Sequence, residues 1–520
     1  MAHLLGIDAS TQSVSALVID TDGGAIEREA SVNFGKRLPQ YGAPSGFVAG
    51  ARPGEVFADP MMWVEALEQL LEELQAAGAL KNIAAVCGAA QQHGSVYLNE
   101  KWPCALAAIR EGRAENLRAR LLPCLARARS PIWMDTSTAE ECREIAEALG
   151  GREKVCALSG SVPVERFTGP QIRRFWKRSP EAYGRTTRIH LVSSFLCSVL
   201  CGQDAPIDTG DGAGMNLLNL TTGDWDGALL DAAAPQLREK LPPVVGGGTR
   251  AGTLGGYFVK KFGFAPETPV LVFTGDNPSS LVGMGAATPE TAVISLGTSD
   301  TIFAAMPQGA FDPEGFGHAF GNPLGGQMSL QCFVNGSLAR EAVRERIGYD
   351  WAAFAQALFR TPAGNDGNRM LPFVRPEISP RIDLNRFVLK GDAEFERWEK
   401  PAHAVRACVE GQLLNMKLRS AWMGLRPARI RLTGGAARDD GIAQIVADIF
   451  QTKVERLPSG GSVALGATLR AAHHCLGVPL ADLESKFCRP APGSTRTPAV
   501  PPGTYDVPLR AFETWIAQYR

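Results

Sequence analysis

Leu4-Leu5-Gly6-Ile7-Asp8-Ala9-Ser10-Thr11-Gln12-Ser13-Val14-Ser15-Ala16-Leu17-Val18-Ile19 reads as an apolar strand, a polar hydroxyl-bearing bend and a second apolar strand. Far downstream the plan recurs. Ala292-Val293-Ile294-Ser295-Leu296 is a strand, Gly297-Thr298-Ser299-Asp300 a polar turn, and Thr301-Ile302-Phe303-Ala304-Ala305 the returning strand. In the first copy Asp22-Gly23-Gly24 adds a hairpin, and residues 25–34 come back as a third strand. One supersecondary unit used twice, once near the start of each half, predicts two α/β domains built alike.

The length agrees with that division. A single core stops growing near ~250–300 residues, and this chain has 520, with 45% apolar and 21% charged residues. Residues 241–257 carry Pro242, Pro243 and six glycines, a composition that suits a domain junction and predicts domains over 1–255 and 256–520. Between the repeats, Asp59-Pro60 supplies an N-cap and a first-turn proline. Trp63, Leu67, Leu70, Leu71 and Leu74 then share one helical face up to Gly78. Ile83 to Ala90 follows as a buried strand that delivers Gln91-Gln92-His93-Gly94 at its far end. A second helix opens near Ser137 or Thr138, with Glu140 and Glu141 placed to close a capping box. Six prolines make 489–508 an irregular surface segment without chemistry.

Charge and cysteines narrow the partners. Lys and Arg number 53 against 54 Asp and Glu, with no basic run of the kind a nucleic acid or an anionic membrane needs. The longest apolar stretch, 191–201, is interrupted by serines and falls short of the ~20 residues that span a bilayer. Eleven cysteines without a Cys-x-x-Cys pair argue against a disulfide framework or a structural zinc. The N-terminus runs straight into a strand with no basic region or cleavage site, so the expected protein is soluble and cytoplasmic, a monomer or homodimer.

Short polar bends between strands expose consecutive backbone N–H groups, which hold phosphate oxygens without a charged side chain. Thr11, Gln12 and Ser13 offer one such bend, and Gly297, Thr298 and Ser299 the other. An ordinary hairpin is the plainer reading of each. Asp8, just ahead of the first bend, suits a Mg²⁺ ion that keeps most of its water shell. Thr433-Gly434-Gly435-Ala436 lies between an apparent strand and a helical run, where glycine lets a nucleotide approach the backbone. No Gly-x-x-x-x-Gly-Lys-Ser/Thr occurs, which excludes the P-loop enzymes.

With the two bends and Gly434-Gly435, the sequence resembles the actin, hexokinase and heat-shock chaperone superfamily. Five motifs, the second bend among them, bring it to the FGGY carbohydrate kinases: Gln91-Gln92-His93-Gly94, Trp133-Met134-Asp135, Glu165-Arg166-Phe167-Thr168-Gly169, Gly275-Asp276-Asn277-Pro278 and Ser295-Leu296-Gly297-Thr298-Ser299-Asp300. Their order and spacing are similar to those of xylulose kinases of the longer, eukaryotic-like type. The resemblance implies two ribonuclease H-like domains around a central cleft, with ATP on the C-terminal domain and a small ketose on the N-terminal one. It implies transfer of a phosphoryl group from Mg²⁺-ATP to O5 of D-xylulose. His93, Arg166, Asp276 and Asn277 match the family's sugar-contacting positions, and Trp351, Gly434 and Gly435 its nucleotide positions. Ala436-Ala437-Arg438 departs from the small polar side chain found in many members and leaves a contact from Arg438 open.

The residues themselves allow two roles in each case. Asp276 ends an apolar strand and suits the base that takes the hydroxyl proton, or it caps the helix beginning near Pro278. His93 is a hydrogen-bonding partner for a sugar hydroxyl or a structural histidine. Arg166 is a fork for sugar oxygens or an ion-pair partner, and Trp351 an adenine platform or a core residue. Other readings are a kinase of ribulose, a seven-carbon ketose or glycerol, a sugar-independent chaperone or filament ATPase, and a silent sugar-binding regulator.

Overall fold

Strand β1 (His3–Ala9) runs through the middle of the first sheet, and Leu4, Leu5, Ile7 and Ala9 are buried along it. In this computed structural model, which describes residues 2–458 and 460–520, β1 pairs antiparallel with β2 (Ser13–Asp20), and β2 with β3 (Ala25–Asn33). On its other side β1 lies parallel to β4 (Ile83–Ala90). Beyond β4 come β5 (Arg250–Thr253) at the edge and β6 (Pro269–Leu271) between, in the order β5-β6-β4-β1-β2-β3, with β7 (Thr274–Gly275) also paired to β4. Helix α1 (Pro60–Ala76) starts as its sequence predicts, with the Asp59 carboxylate accepting from the Met61 N–H.

Two compact units divide the chain, the first comprising 1–285, 319–327 and 460–488 and the second 286–318, 328–459 and 489–520. The division therefore falls at 285/286 and not at 255/256. The proline- and glycine-rich stretch 241–257 contains an edge strand of the first sheet, and β6 and β7 continue that sheet after it. Asp276 belongs to the first unit for the same reason. The second helix opens where its sequence predicts, spanning Ala139–Leu149 with Thr138 as N-cap, but the capping box does not form: Thr138, at φ −108° and ψ 27°, lacks the extended backbone of a capping residue, and its hydroxyl donates to the carbonyl of Glu165.

Helix α2 (Asp276–Gly283) follows β7 without a loop and packs against the helix Ser462–Leu476 at backbone contact. A Cβ at Gly466 would lie 1.8 Å from the Ser279 carbonyl, and one at Gly283 would lie 1.9 Å from that of Ser462. Ser279 Oγ donates to the Val463 carbonyl at 2.7 Å across the same seam.

The second unit repeats the arrangement. Strand β8 (Thr291–Leu296) is antiparallel to β9 (Asp300–Ala305), which pairs with β10 (Gln327–Phe333). Parallel to β8 lies β11 (Arg429–Thr433), followed by β12 (Lys453–Arg456), so the order β10-β9-β8-β11-β12 matches β3-β2-β1-β4-β6. Four helices matter below: α3 (Ser337–Arg346), α4 (Trp351–Arg360), α5 (Pro401–Arg419) and α6 (Asp440–Phe450). Among the described residues no helix is long and apolar enough to cross a membrane.

Candidate active site

Register in the first sheet brings Asp8 and Asp276 to one end. Asp8 faces Ala89 across the β1/β4 pair, and Thr274 faces the same Ala89 from the other side. Adjacent strands lie about 4.8 Å apart, so Asp8 and the residues leading into Asp276 are two strands apart on one row. Asp276 then occupies the first position of α2, with Gly275 as N-cap. The capping alternative is thus not its role. Its Oδ1 accepts from the Asn277 backbone N–H at 2.8 Å and from Asn277 Nδ2 at 3.0 Å.

Both carboxyls hold their protons unusually well. Burial pushes Asp276 up to about 6 against the opposing pull of the Asn277 and Gln92 backbone donors. Burial and, behind it, the charge of Asp276 push Asp8 up to about 7. Asp8 Oδ1 is buried and has no hydrogen-bond partner. An orphaned carboxylate oxygen beside a second carboxylate is the donor set a hydrated divalent cation takes, and Asp8 would hold Mg²⁺ there, supplying charge neutralisation to phosphate oxygens. Among the described residues no group of three or more His, Cys, Asp or Glu could enclose a metal, which leaves most of such an ion's shell to water and phosphate.

The bend after Asp8 is tied by the Ser10 N–H and hydroxyl, both donating to the Ser13 carbonyl at 2.9 and 3.0 Å. Trp133, 42% exposed, donates its indole N–H to Thr11 Oγ1 at 2.8 Å. That bond uses an acceptor lone pair of the hydroxyl and leaves its proton for another partner. Gln12 is exposed and Ser13 half-buried.

His93 leaves the end of β4 with φ of +70°, a conformation costly for a non-glycine residue and held here from two sides. The Thr168 hydroxyl donates to its carbonyl at 3.0 Å, and its own Nδ1–H donates to the Gly214 carbonyl at 2.8 Å. Because a carbonyl only accepts, the tautomer is fixed and Nε2 carries a lone pair. Burial, with the Arg166 guanidinium second, pushes this imidazole down to about 3, so it stays neutral. Phe167 packs on the ring at 4.7 Å, and a side chain at Gly214 would strike it at 2.9 Å. Gln92, to which the sequence reading gives no role, accepts at Oε1 from Asn277 Nδ2 at 3.0 Å and ties the His93 segment to α2.

In the second unit the bend at 297–299 joins β8 to β9, with Thr298 and Ser299 exposed. Gly434, at φ +89°, packs on the end of β8, where a Cβ would lie 2.4 Å from the Leu296 carbonyl, and Gly435 faces open space. Trp351 is 49% exposed at the start of α4, so it is not a core residue, and the Arg344 guanidinium sits 4.9 Å over its ring. Arg438 is exposed; its carbonyl accepts from Arg456 Nη1 at 3.0 Å. Sequence reasoning gave Asp300 no role beyond the turn and missed Arg340, which pairs with it beneath this bend.

This fold is the two-domain ATPase architecture of the actin and hexokinase type. The chain superposes on ligand-bound xylulose kinase from Lactobacillus acidophilus with a TM-score of 0.81 at 20% identity, covering 99% of this chain and 97% of that one. For Plasmodium falciparum glycerol kinase with ADP the TM-score is 0.79 at 16% identity, covering 100% and 98%. In sequence, the N-terminal domain model of the FGGY family of carbohydrate kinases matches residues 128–283, and the C-terminal domain model matches 292–475. Xylulose kinase of Rattus norvegicus is 38% identical over 513 residues, 95% of this chain and 92% of that protein. Xylulose kinase 2 of Arabidopsis thaliana is 37% identical over 487 residues, 90% and 86% respectively. The chain belongs to the FGGY family of carbohydrate kinases.

Proposed function

We propose that this protein transfers the γ-phosphoryl group of ATP to O5 of D-xylulose, giving D-xylulose 5-phosphate and ADP. The observation that carries the chemistry is Asp276, a carboxyl at a sheet end whose proton affinity is raised to about 6, in reach of both protonation states near neutrality. The choice of ketose rests on the near full-length likeness to proteins named xylulose kinase.

In this reading the ketose binds the first unit. His93 Nε2, a fixed acceptor, takes a hydrogen bond from a sugar hydroxyl, Arg166 donates to sugar oxygens, and Asn277, whose amide protons go to Asp276 and Gln92, offers its amide oxygen as an acceptor. Asp276 accepts the proton of the terminal hydroxyl as its oxygen bonds to the γ-phosphorus, and the bond from that phosphorus to the β,γ-bridging oxygen breaks with ADP departing. Backbone and hydroxyl donors of Thr11, Gln12 and Ser13 hold the transferring group. The amides and hydroxyls of Gly297, Thr298 and Ser299 hold the nucleotide phosphates, with Gly434, Gly435 and Trp351 against the adenosine.

A coupled ADP-release assay over pentuloses, heptuloses and polyols tests class and substrate together. D-xylulose is expected to give the highest kcat/KM of the panel. ADP release that ignores every sugar would replace this reading with a sugar-independent ATPase.

A further inference from the structure

Beneath the bend at 297–299 lies a buried polar assembly that the proposed reaction does not use. Arg340, on α3, donates from Nη1 to Asp300 Oδ2 at 2.8 Å and from Nη2 to Asp300 Oδ1 at 3.0 Å. Both residues are 2% exposed. Nη1 also donates to Gln412 Oε1 of α5 at 3.0 Å, and Gln412 Nε2 donates to the carbonyls of Asn335 and Gly336 at 2.6 and 2.9 Å. The Gly297 carbonyl accepts from the Ser337 N–H at 2.8 Å and lies 3.4 Å from Arg340 Nη2. A Cβ at Gly336 would come within 2.7 Å of the Gly297 carbonyl, the Thr298 carbonyl and Asp300 Oδ1 alike.

These contacts fix more than the position of the bend. In a planar trans peptide the C=O and the following N–H point in opposite directions. With the carbonyls of Gly297 and Thr298 held against Gly336 and α3, the N–H groups of Thr298 and Ser299 are turned away from the core, on a segment whose side chains are exposed. Asp300 adjoins these donors and would repel a phosphate, but the Arg340 fork neutralises it in place.

We infer that Arg340 is a positioning residue for nucleotide phosphate: by pairing with Asp300 over Gly336, it aims the Thr298 and Ser299 amides outward and removes the negative charge beside them. The inference rests on the proposed kinase reading, in which that bend holds phosphate. Lys at 340 keeps the charge and loses the fork, whereas Ala at Gly336 keeps the ion pair and pushes on the two carbonyls.

The test measures ATP·Mg²⁺ affinity by calorimetry and adenosine affinity by ligand-observed NMR, for the unaltered chain, Arg340→Lys and Gly336→Ala. Both variants are expected to weaken ATP about tenfold, the equivalent of one lost charge-assisted bond, with adenosine within about twofold. A general loosening of the second unit would weaken adenosine equally, and that result overturns the inference. So does ATP affinity unchanged in either folded variant; if Arg340→Lys does not fold, Gly336→Ala decides alone. Failure of the unaltered chain to bind ATP would instead remove the kinase reading, and this inference with it.

Discussion

Asp8→Asn separates what the first carboxylate does for function from what it costs the fold. Burial, with the charge of Asp276 second, pushes Asp8 up to about 7 in the folded chain from its ordinary 3.8. The sign follows from linkage. Between those values the folded state binds more protons than the unfolded state, so stability falls as pH rises through that window, and the full penalty is present above about pH 7. At 1.36 kcal/mol per pH unit the shift is worth ~4 kcal/mol at most. Partial solvent access to Asp8 brings the expected figure to about 2 kcal/mol. A neutral isostere removes the penalty, so Asp8→Asn should be more stable than the unaltered protein at pH 8 and nearly equal to it at about pH 3, below the ordinary carboxyl value. For a unit of about 300 residues this is ~3 °C in Tm. Scanning calorimetry at both pH values, without Mg²⁺ or nucleotide, reads it, and phosphorylation should be lost in the same variant. A stability difference that is the same at both pH values would refute the reasoning, since it would show that Asp8 carries no raised proton affinity.

Asp276→Ala should lower kcat by about 10²–10⁴ while ATP binding survives, measured by coupled ADP release and by calorimetry; a variant that keeps most of its turnover removes Asp276 as the base. In the unaltered enzyme kcat/KM should fall as pH drops through about 6, the side on which Asp276 becomes protonated, and a flat profile between pH 5 and 8 would contradict this. His93→Ala should raise KM for the ketose by roughly ten- to a hundredfold, the worth of one buried hydrogen bond, and leave that acid limb in place because the imidazole titrates near 3. Gly466→Ala should destabilise by at least ~1–3 kcal/mol in urea unfolding, since the methyl group meets the Ser279 carbonyl of α2, and an unchanged midpoint would deny the helix contact.

The repeat was legible because it is local. Apolar alternation, a polar bend and a return strand are written in consecutive residues at 4–19 and 292–305, and β1, β2, β8 and β9 form there with matching order in both sheets. The helix at Pro60 was legible for the same reason, its cap and proline being adjacent in sequence. What failed depended on distant partners. Residues 241–257 look like a linker by composition, but whether a glycine-rich stretch joins a sheet edge is decided by the strand waiting beside it, here β6. Thr138 has the sequence of a capping box, yet its backbone is not extended, and its hydroxyl proton goes to the Glu165 carbonyl, which arrives from another segment. The tautomer of His93 turns on a carbonyl 121 residues away. Motif resemblance could name His93, but only the fold says that its Nδ1 donates to Gly214 and its Nε2 is left to accept.

The two bends differ in where each carries its carboxylate. The penultimate residue of the leading strand is Asp8 in the first unit and Ser295 in the second, while the second unit places its carboxylate on the returning strand, as Asp300. Each carboxylate lies at the mouth of its bend, and their surroundings differ in one respect. Asp300 is matched by a buried guanidinium, whereas Asp8 has an unpartnered oxygen and a second carboxylate for company. A bend meant for phosphate oxygens gains nothing from an unneutralised carboxylate, because repulsion at a few ångströms in a poorly solvated setting opposes the amide donors. In the proposed reading, neutralising Asp300 suits the second bend to anions, and leaving Asp8 unpaired suits the first to a cation. On that reading Arg340 serves phosphate binding by the second unit and the unpartnered Asp8 oxygen serves Mg²⁺ binding by the first, so removing the guanidinium from Asp300 should weaken ATP and giving Asp8 a cationic partner should weaken Mg²⁺.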